Sequence, residues 1–102
     1  MVDVSAKPVQ AREAAPEDAS VADTLGWVYY RKGLFDSALP LIADAAGKAK
    51  NNAAIRYHHG MVLAKKGMNR EAATELKAAL SLDPKFQGAD EAKKTLESLK
   101  ST

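Results

Sequence analysis

His58 and His59 are the two histidines of the chain and its first candidates for metal chemistry. On a helix, adjacent residues point ~100° apart, because a turn takes about 3.6 residues. The pair therefore cannot easily share one ion, and no cysteine or acidic cluster completes a zinc-type site. No metal is expected, and no other cofactor. His59 reads as a half-buried residue between helices, and His58 as bordering a groove. Nucleophilic and phosphate chemistry fare no better. There is no nucleophile elbow and no phosphate-cradling glycine loop. The acidic pair Glu17-Asp18 reads as the solvated start of a helix. The lysine pairs Lys65-Lys66 and Lys93-Lys94 read as solvated faces and helix-end charges. The chain is not expected to be an enzyme.

A second group points to recognition. Helical spacing places Asp23, Trp27, Tyr30 and Arg31 together on one side of a helix, and Tyr57, Met61, Ala64 and Lys65 together on one side of another. Trp, Tyr, Met and Arg are the types enriched at protein interfaces. Two readings stand side by side. In one, these residues line a groove for an extended peptide or a partner helix. In the other, Trp27 and Tyr30 pack against Tyr57 and Met61, or against the N-terminal segment, as aromatic stripes at helical spacing often do.

The elements that position these residues repeat. Gly26 and Gly33 recur 34 residues on as Gly60 and Gly67, and Ala38 and Ala45 as Ala72 and Ala79. Ala19, Val28 and Lys32 return as Ala53, Val62 and Lys66, with Val21 and Ile42 as Ile55 and Leu76. A fixed period of this length marks stacked helical units that cannot bury their apolar faces alone. Helices are expected over about 19–32, 37–48 and 53–66, from just after Asn69 to about 82, and over about 87–100. Asp18 and Asp36 sit where caps are wanted, and Asn52 and Asn69 precede the third and fourth helices. Gly33 and Gly67 are the expected stops, and Asp83-Pro84 ends the fourth helix. A short helix over about Val9–Ala15, after Pro8, is also expected. No segment alternates like a strand, so the fold class is all-α.

Size and charge narrow the function. The chain has 102 residues, 46% of them hydrophobic and many of those Ala, which predicts one small domain with a thin core. A net charge of +2 without a clustered basic face does not suggest nucleic acid. No apolar run approaches the ~20 residues of a membrane span. Met1-Val2-Asp3-Val4-Ser5 lacks the basic start and apolar stretch of a signal peptide. The default setting is then cytoplasmic, although a piece of an exported parent would look the same.

Leu25-Gly26, Tyr29, Gly33, Ala38, Ile42 and Ala45, followed by Gly60, Leu63, Gly67, Ala72, Leu76, Ala79 and Pro84, resemble the tetratricopeptide repeat. There are departures. The consensus Trp is Ala22 in one copy and Arg56 in the other, the Leu before the second glycine is His59, and the first closing Pro is Lys50. The stretches Asp23-Thr24-Leu25-Gly26-Trp27 and Ile55-Arg56-Tyr57-His58-His59-Gly60 are also similar to the last repeats of long bacterial arrays, some in exopolysaccharide and protein-export systems.

The resemblance implies an N-terminal segment over 1–18 that is the remnant of a preceding repeat helix. It also implies repeats over 19–52 and 53–86 and a capping helix over 87–102, together forming a right-handed α-superhelix. The implied core includes Leu25, Tyr29, Ala38, Ile42, Gly60, Leu63, Ala72, Leu76 and Leu96. The implied function is a scaffold or adaptor that binds a protein or peptide in its concave groove. Asp23, Trp27, Tyr30, Arg31, Tyr57, Met61 and Lys65 would form that groove, with Arg31 and Lys65 favouring an acidic or C-terminal segment. The alternative is a structural end-module of a longer array, or a self-associating unit with no peptide ligand of its own. Family members that grip a C-terminal carboxylate do so with Lys and Asn where this chain has Asp23 and Trp27, so that clamp is not implied. About three repeats are normally needed for a stable stack. Val21, Leu25 and Val28 face where a preceding helix would lie, so either the N-terminal segment folds back over them or the chain forms a homodimer.

Overall fold

The structure, a computed structural model, describes residues 16–100; the expected helix over Val9–Ala15 falls outside them. The described residues form five helices and no strand: α1 (Pro16–Arg31), α2 (Phe35–Lys48), α3 (Ala53–Lys65), α4 (Asn69–Leu82) and α5 (Ala89–Lys100).

The two long hairpins, α1–α2 and α3–α4, turn in the same way. Gly33 and Gly67 have φ of 81° and 79°, a left-handed conformation that suits glycine. At the first turn, Gly33 N–H donates to the Tyr30 carbonyl and Leu34 N–H to the Tyr29 carbonyl, both at 2.9 Å. At the second, Gly67 N–H donates to Ala64 at 3.1 Å and Met68 N–H to Leu63 at 2.9 Å. Both are Schellman stops, which satisfy carbonyls that the helix end would otherwise orphan.

The helix starts follow the sequence less closely. Asn52 caps α3, its side-chain oxygen accepting from Ile55 N–H at 3.0 Å. Asp36 and Asn69 do not cap. Leu34 and Met68 hold those positions without a side-chain hydrogen bond, and both helices start earlier than a polar cap would dictate. Asp36 sits instead in the first turn of α2, where a carboxylate suits the helix dipole, and it pairs with Lys66 at the end of α3. α1 begins at Pro16, two residues ahead of the cap position expected at Asp18. Proline's fixed φ and missing N–H are tolerated at a first helical position. Pro40 lies inside α2 and removes one intrahelical donor there.

Each hairpin closes on a glycine. A Cβ at Gly26 would lie 2.5 Å from Ile42 Cγ1, and one at Gly60 would lie 2.7 Å from Leu76 Cγ and Cδ2. Ile42, Leu76, Ala38 and Ala72 are all fully buried against these glycines, so the paired helices approach as closely as their backbones permit. Of the expected core, Ala38, Ile42, Gly60, Leu63, Ala72 and Leu76 are buried, while Tyr29 and Leu96 are half-buried. Leu25 is the exception at 44% exposed, because no described helix covers its side of α1. Arg56, in the place of a consensus Trp, donates from Nη1 to both oxygens of Glu75 at 3.2 and 3.0 Å and from Nε to the Lys50 carbonyl at 2.9 Å. It ties the loop between the hairpins to α4 by polar contacts rather than by an indole. His59 Nδ1 comes within 3.3 Å of the same Glu75 but off hydrogen-bonding geometry, and it remains unpartnered.

Candidate partner-binding groove

The side of α1 that carries Asp23, Trp27 and Tyr30 faces α3. Asp23 is buried, and its two carboxylate oxygens both lie 2.8 Å from His58 Nδ1. That imidazole lies nearly flat on Trp27, with ring centroids 3.9 Å apart. Trp27 in turn stacks on Tyr30 at 4.3 Å with only 6° between the planes. It also meets Tyr57 at 5.7 Å, and Tyr57 meets Phe86 at 5.4 Å. The Asp23–His58 pair thus holds the indole in place from the inside. Tyr30, on the outer end of the stack, borders Phe35 at 5.5 Å.

Of the two readings, one put Tyr57 and Met61 on a partly exposed groove surface and the other packed them against Trp27 and Tyr30; they are 8% and 6% exposed, and Trp27 meets Tyr57. The reason for their burial is α5. Together with Phe86 just before it, α5 packs Ala89 and Ala92 onto Tyr57 and Met61 of α3 and Leu76 and Ala79 of α4. Thr95 donates its hydroxyl to Met61 Sδ at 3.5 Å. Gly88, at φ 108°, lets the chain pass so close to the Tyr57 ring that a Cβ there would lie 2.7 Å from it. In this chain the groove positions and the positions that receive the next unit overlap. On α1 the first copies, Asp23 and Trp27, receive α3. On α3 their offset copies, Tyr57 and Met61, receive α5.

A cleft of about 400 Å³ remains open between α1, α3 and α5. Tyr30, Met61, Ala64 and Leu99 give it an apolar floor, and Lys65, Glu91, Lys94, Thr95 and Ser98 a polar rim. A smaller neighbouring hollow joins Trp27, Arg31 and Tyr57 to the same Glu91. The structure therefore brings Trp27, Tyr30, Arg31, Met61 and Lys65 to one opening, with Tyr57 at its base and Asp23 behind it. The α5 residues were not anticipated. The 34-residue offset points to them: Tyr57, Met61, Ala64 and Lys65 lead to Glu91, Thr95, Ser98 and Leu99.

The electrostatics of this opening show in its phenols. Burial, and then the nearby Glu91 carboxylate, raise the Tyr30 hydroxyl above its ordinary pKa of 10.0. The Tyr57 hydroxyl is raised by burial first, then by Glu91, and then by Tyr30. Both phenols stay protonated in the folded chain at a pH where the unfolded chain has begun to lose those protons. Their contribution to stability is full below about pH 10 and falls as the pH climbs through the raised values. Absorbance of tyrosinate should therefore rise late on alkaline titration, and Tyr57→Phe should remove part of the late fraction. A late fraction left intact by that substitution, with the loss falling in the ordinary range instead, would place the Tyr57 hydroxyl in open water.

Among the described residues, no three His, Asp or Glu side chains gather closely enough to hold a metal. No described helix is long and apolar enough to cross a membrane.

Two closed hairpins stacked side by side, followed by a helix that packs on the second, make this an all-α tetratricopeptide-repeat fold with a C-terminal capping helix. Among solved structures it is similar to MamA, a tetratricopeptide-repeat-containing protein, in an arginine-to-glutamate mutant form. The TM-score is 0.73 at 28% sequence identity, over 85% of this chain. The chain spans 61% of the length of that structure. No protein-family model and no curated protein matches the sequence. The fold supports a protein-interaction or scaffold module.

Proposed function

We infer that the module binds an acidic protein segment carrying an apolar anchor in the cleft between α1, α3 and α5. The observation that carries this reading is the half-exposed Trp27–Tyr30 stack, which opens beside an apolar floor with a cationic rim. Arg31, Lys65 and Lys94 place cationic side chains at this opening, where they would meet a partner's carboxylates. Glu91 is the one acid among the described residues of the cleft wall, and it would set the register of the segment by repelling a carboxylate placed against it. The Asp23–His58 lock supports the reading as well. It holds the indole in one orientation before any partner arrives, which lowers the ordering cost of binding. Partner choice is a property of the site and not of the fold, and the site here favours a negative, partly apolar strand or helix.

The test is a titration of acidic peptides with a single Leu or Phe anchor against Trp27 fluorescence. Trp27→Ala should weaken binding by more than ~1 kcal/mol, as interface aromatics often do, while helicity by circular dichroism stays near that of the parent. Charge reversal at Lys65 and Lys94 should weaken acidic peptides and spare neutral ones. Trp27 emission typical of a fully buried indole, with no response to quencher or peptide, would count against the groove.

A further inference from the structure

The other side of α1 carries a separate signal. Val21, Leu25 and Val28 are 65%, 44% and 46% exposed, and with Ser20 and Thr24 they line a shallow, almost wholly apolar hollow. Their offset copies on α3 are Ile55, His59 and Val62. There the apolar members are covered by α2: Ile55 by Ala45 and Ala46, and Val62 by Ala38 and Ile42. The stripe on α1 is thus of a kind that this fold covers with a second helix. Between α2 and α3 the chain turns at 49–52, whereas at the matching offset before α1, residues 16–18 are already helical.

The stripe is also self-complementary. Positions 18, 21, 25, 28 and 32 follow the alternating three-and-four spacing of a helix–helix seam, and they read Asp18, Val21, Leu25, Val28, Lys32. Two such stripes laid antiparallel about Leu25 bring Val21 of each copy level with Val28 of the other, and the acidic position 18 level with the basic position 32. An isologous two-fold contact requires this kind of matching. An apolar patch flanked by opposite charges at its two ends favours a second copy over an unlike partner.

We propose that this face of α1 pairs with the same face of a second copy of the chain, antiparallel, with Leu25 at the two-fold axis. By helical spacing the contact lies on the opposite side of α1 from Trp27 and Tyr30, so it does not rest on the groove reading and leaves the cleft open.

Sedimentation velocity of the full chain across the micromolar range tests the pairing. A concentration-dependent dimer is expected. Leu25→Asp should raise its dissociation constant by at least roughly tenfold, as loss of a central apolar anchor does, with an unchanged circular dichroism spectrum; Leu25→Gln serves as a milder second variant. Asp18→Lys and Lys32→Glu should each weaken the dimer, because each variant then bears one sign of charge at both ends of the stripe. An equimolar mixture of those two variants should associate again, since opposite signs then meet at both ends. A chain that stays monomeric throughout, a dimer indifferent to both Leu25 variants, or a mixture no better than its components would each overturn the pairing.

Discussion

Deleting residues 85–102 should abolish cooperative unfolding and leave a chain that aggregates. The described core does not end with the second hairpin. Phe86, Ala89 and Ala92 are 9%, 6% and 0% exposed, and they form one cluster with Tyr57, Met61, Leu76 and Ala79. Without them, Tyr57 and Met61 lose their cover and Phe86 is gone. At about 1.5–3 kcal/mol for each large apolar side chain removed from water, the loss is on the order of 5 kcal/mol. That is comparable with the whole stability of a small domain, roughly 5–15 kcal/mol. Repeat stacks need a terminal unit that is apolar on one side only, and α5 has that form. Leu96, an expected core residue, and Leu99 are only half-buried. The anchoring falls earlier, on Phe86 and the two alanines, so Phe86→Ala is the graded version of the same experiment, with an expected cost of about 3–5 kcal/mol. Thermal melts followed by circular dichroism and light scattering read both. A truncated chain that stays soluble and melts cooperatively at the parent temperature would make α5 an appendage.

What was legible in the sequence is what depends on backbone geometry. Gly33 and Gly67 announce left-handed helix stops, and Gly26 and Gly60 with Ala38 and Ala72 announce helices in close contact, because few other residues fit those places. What was not legible depends on which neighbour arrives. Leu34 and Met68 start helices without a polar cap because the preceding Schellman turn already fixes the backbone. Asp36, free of capping, pairs with Lys66 thirty residues away, a contact no local pattern announces.

The candidate site divides along the same line. Trp27, Tyr30, Arg31 and Lys65 could be placed on one side of their helices by spacing alone, and they do meet at one opening. The burial of Tyr57 and Met61 followed from α5, which the sequence presented mainly as a wet helix with one apolar stripe. Reading its residues at a second 34-residue offset would have put Glu91 and Thr95 over Tyr57 and Met61. The Asp23–His58 pair escaped for a different reason. Acid and imidazole are thirty-five positions apart, one residue off the repeat period, so the contact crosses between units and not between equivalent positions.

Overpacking the second hairpin is the other large effect expected. Ala72 is fully buried, and its carbonyl oxygen lies 3.2 Å from where a Cβ on Gly60 would be. Ala72→Leu adds three carbons at a point where the two helices already touch, and Leu76, also fully buried, cannot move aside into solvent. The expected cost is about 2–3 kcal/mol, at the upper end for an overpacked core. Gly60→Ala probes the same contact from the other helix with opposing terms. Alanine gains about 1 kcal/mol of helix propensity over glycine, whereas its Cβ, 2.7 Å from Leu76, costs roughly 1–3 kcal/mol of repacking. The net change should be a loss of stability. Because the collision is with the Leu76 side chain, Leu76→Val should relieve part of it. In a double-mutant cycle Gly60→Ala should therefore be less harmful with Val at position 76 than with Leu, by more than ~0.5 kcal/mol. Denaturant melts of the four chains give the coupling directly. Additive effects, or an Ala72→Leu chain as stable as the parent, would mean that α3 and α4 are not held together through this glycine–leucine contact.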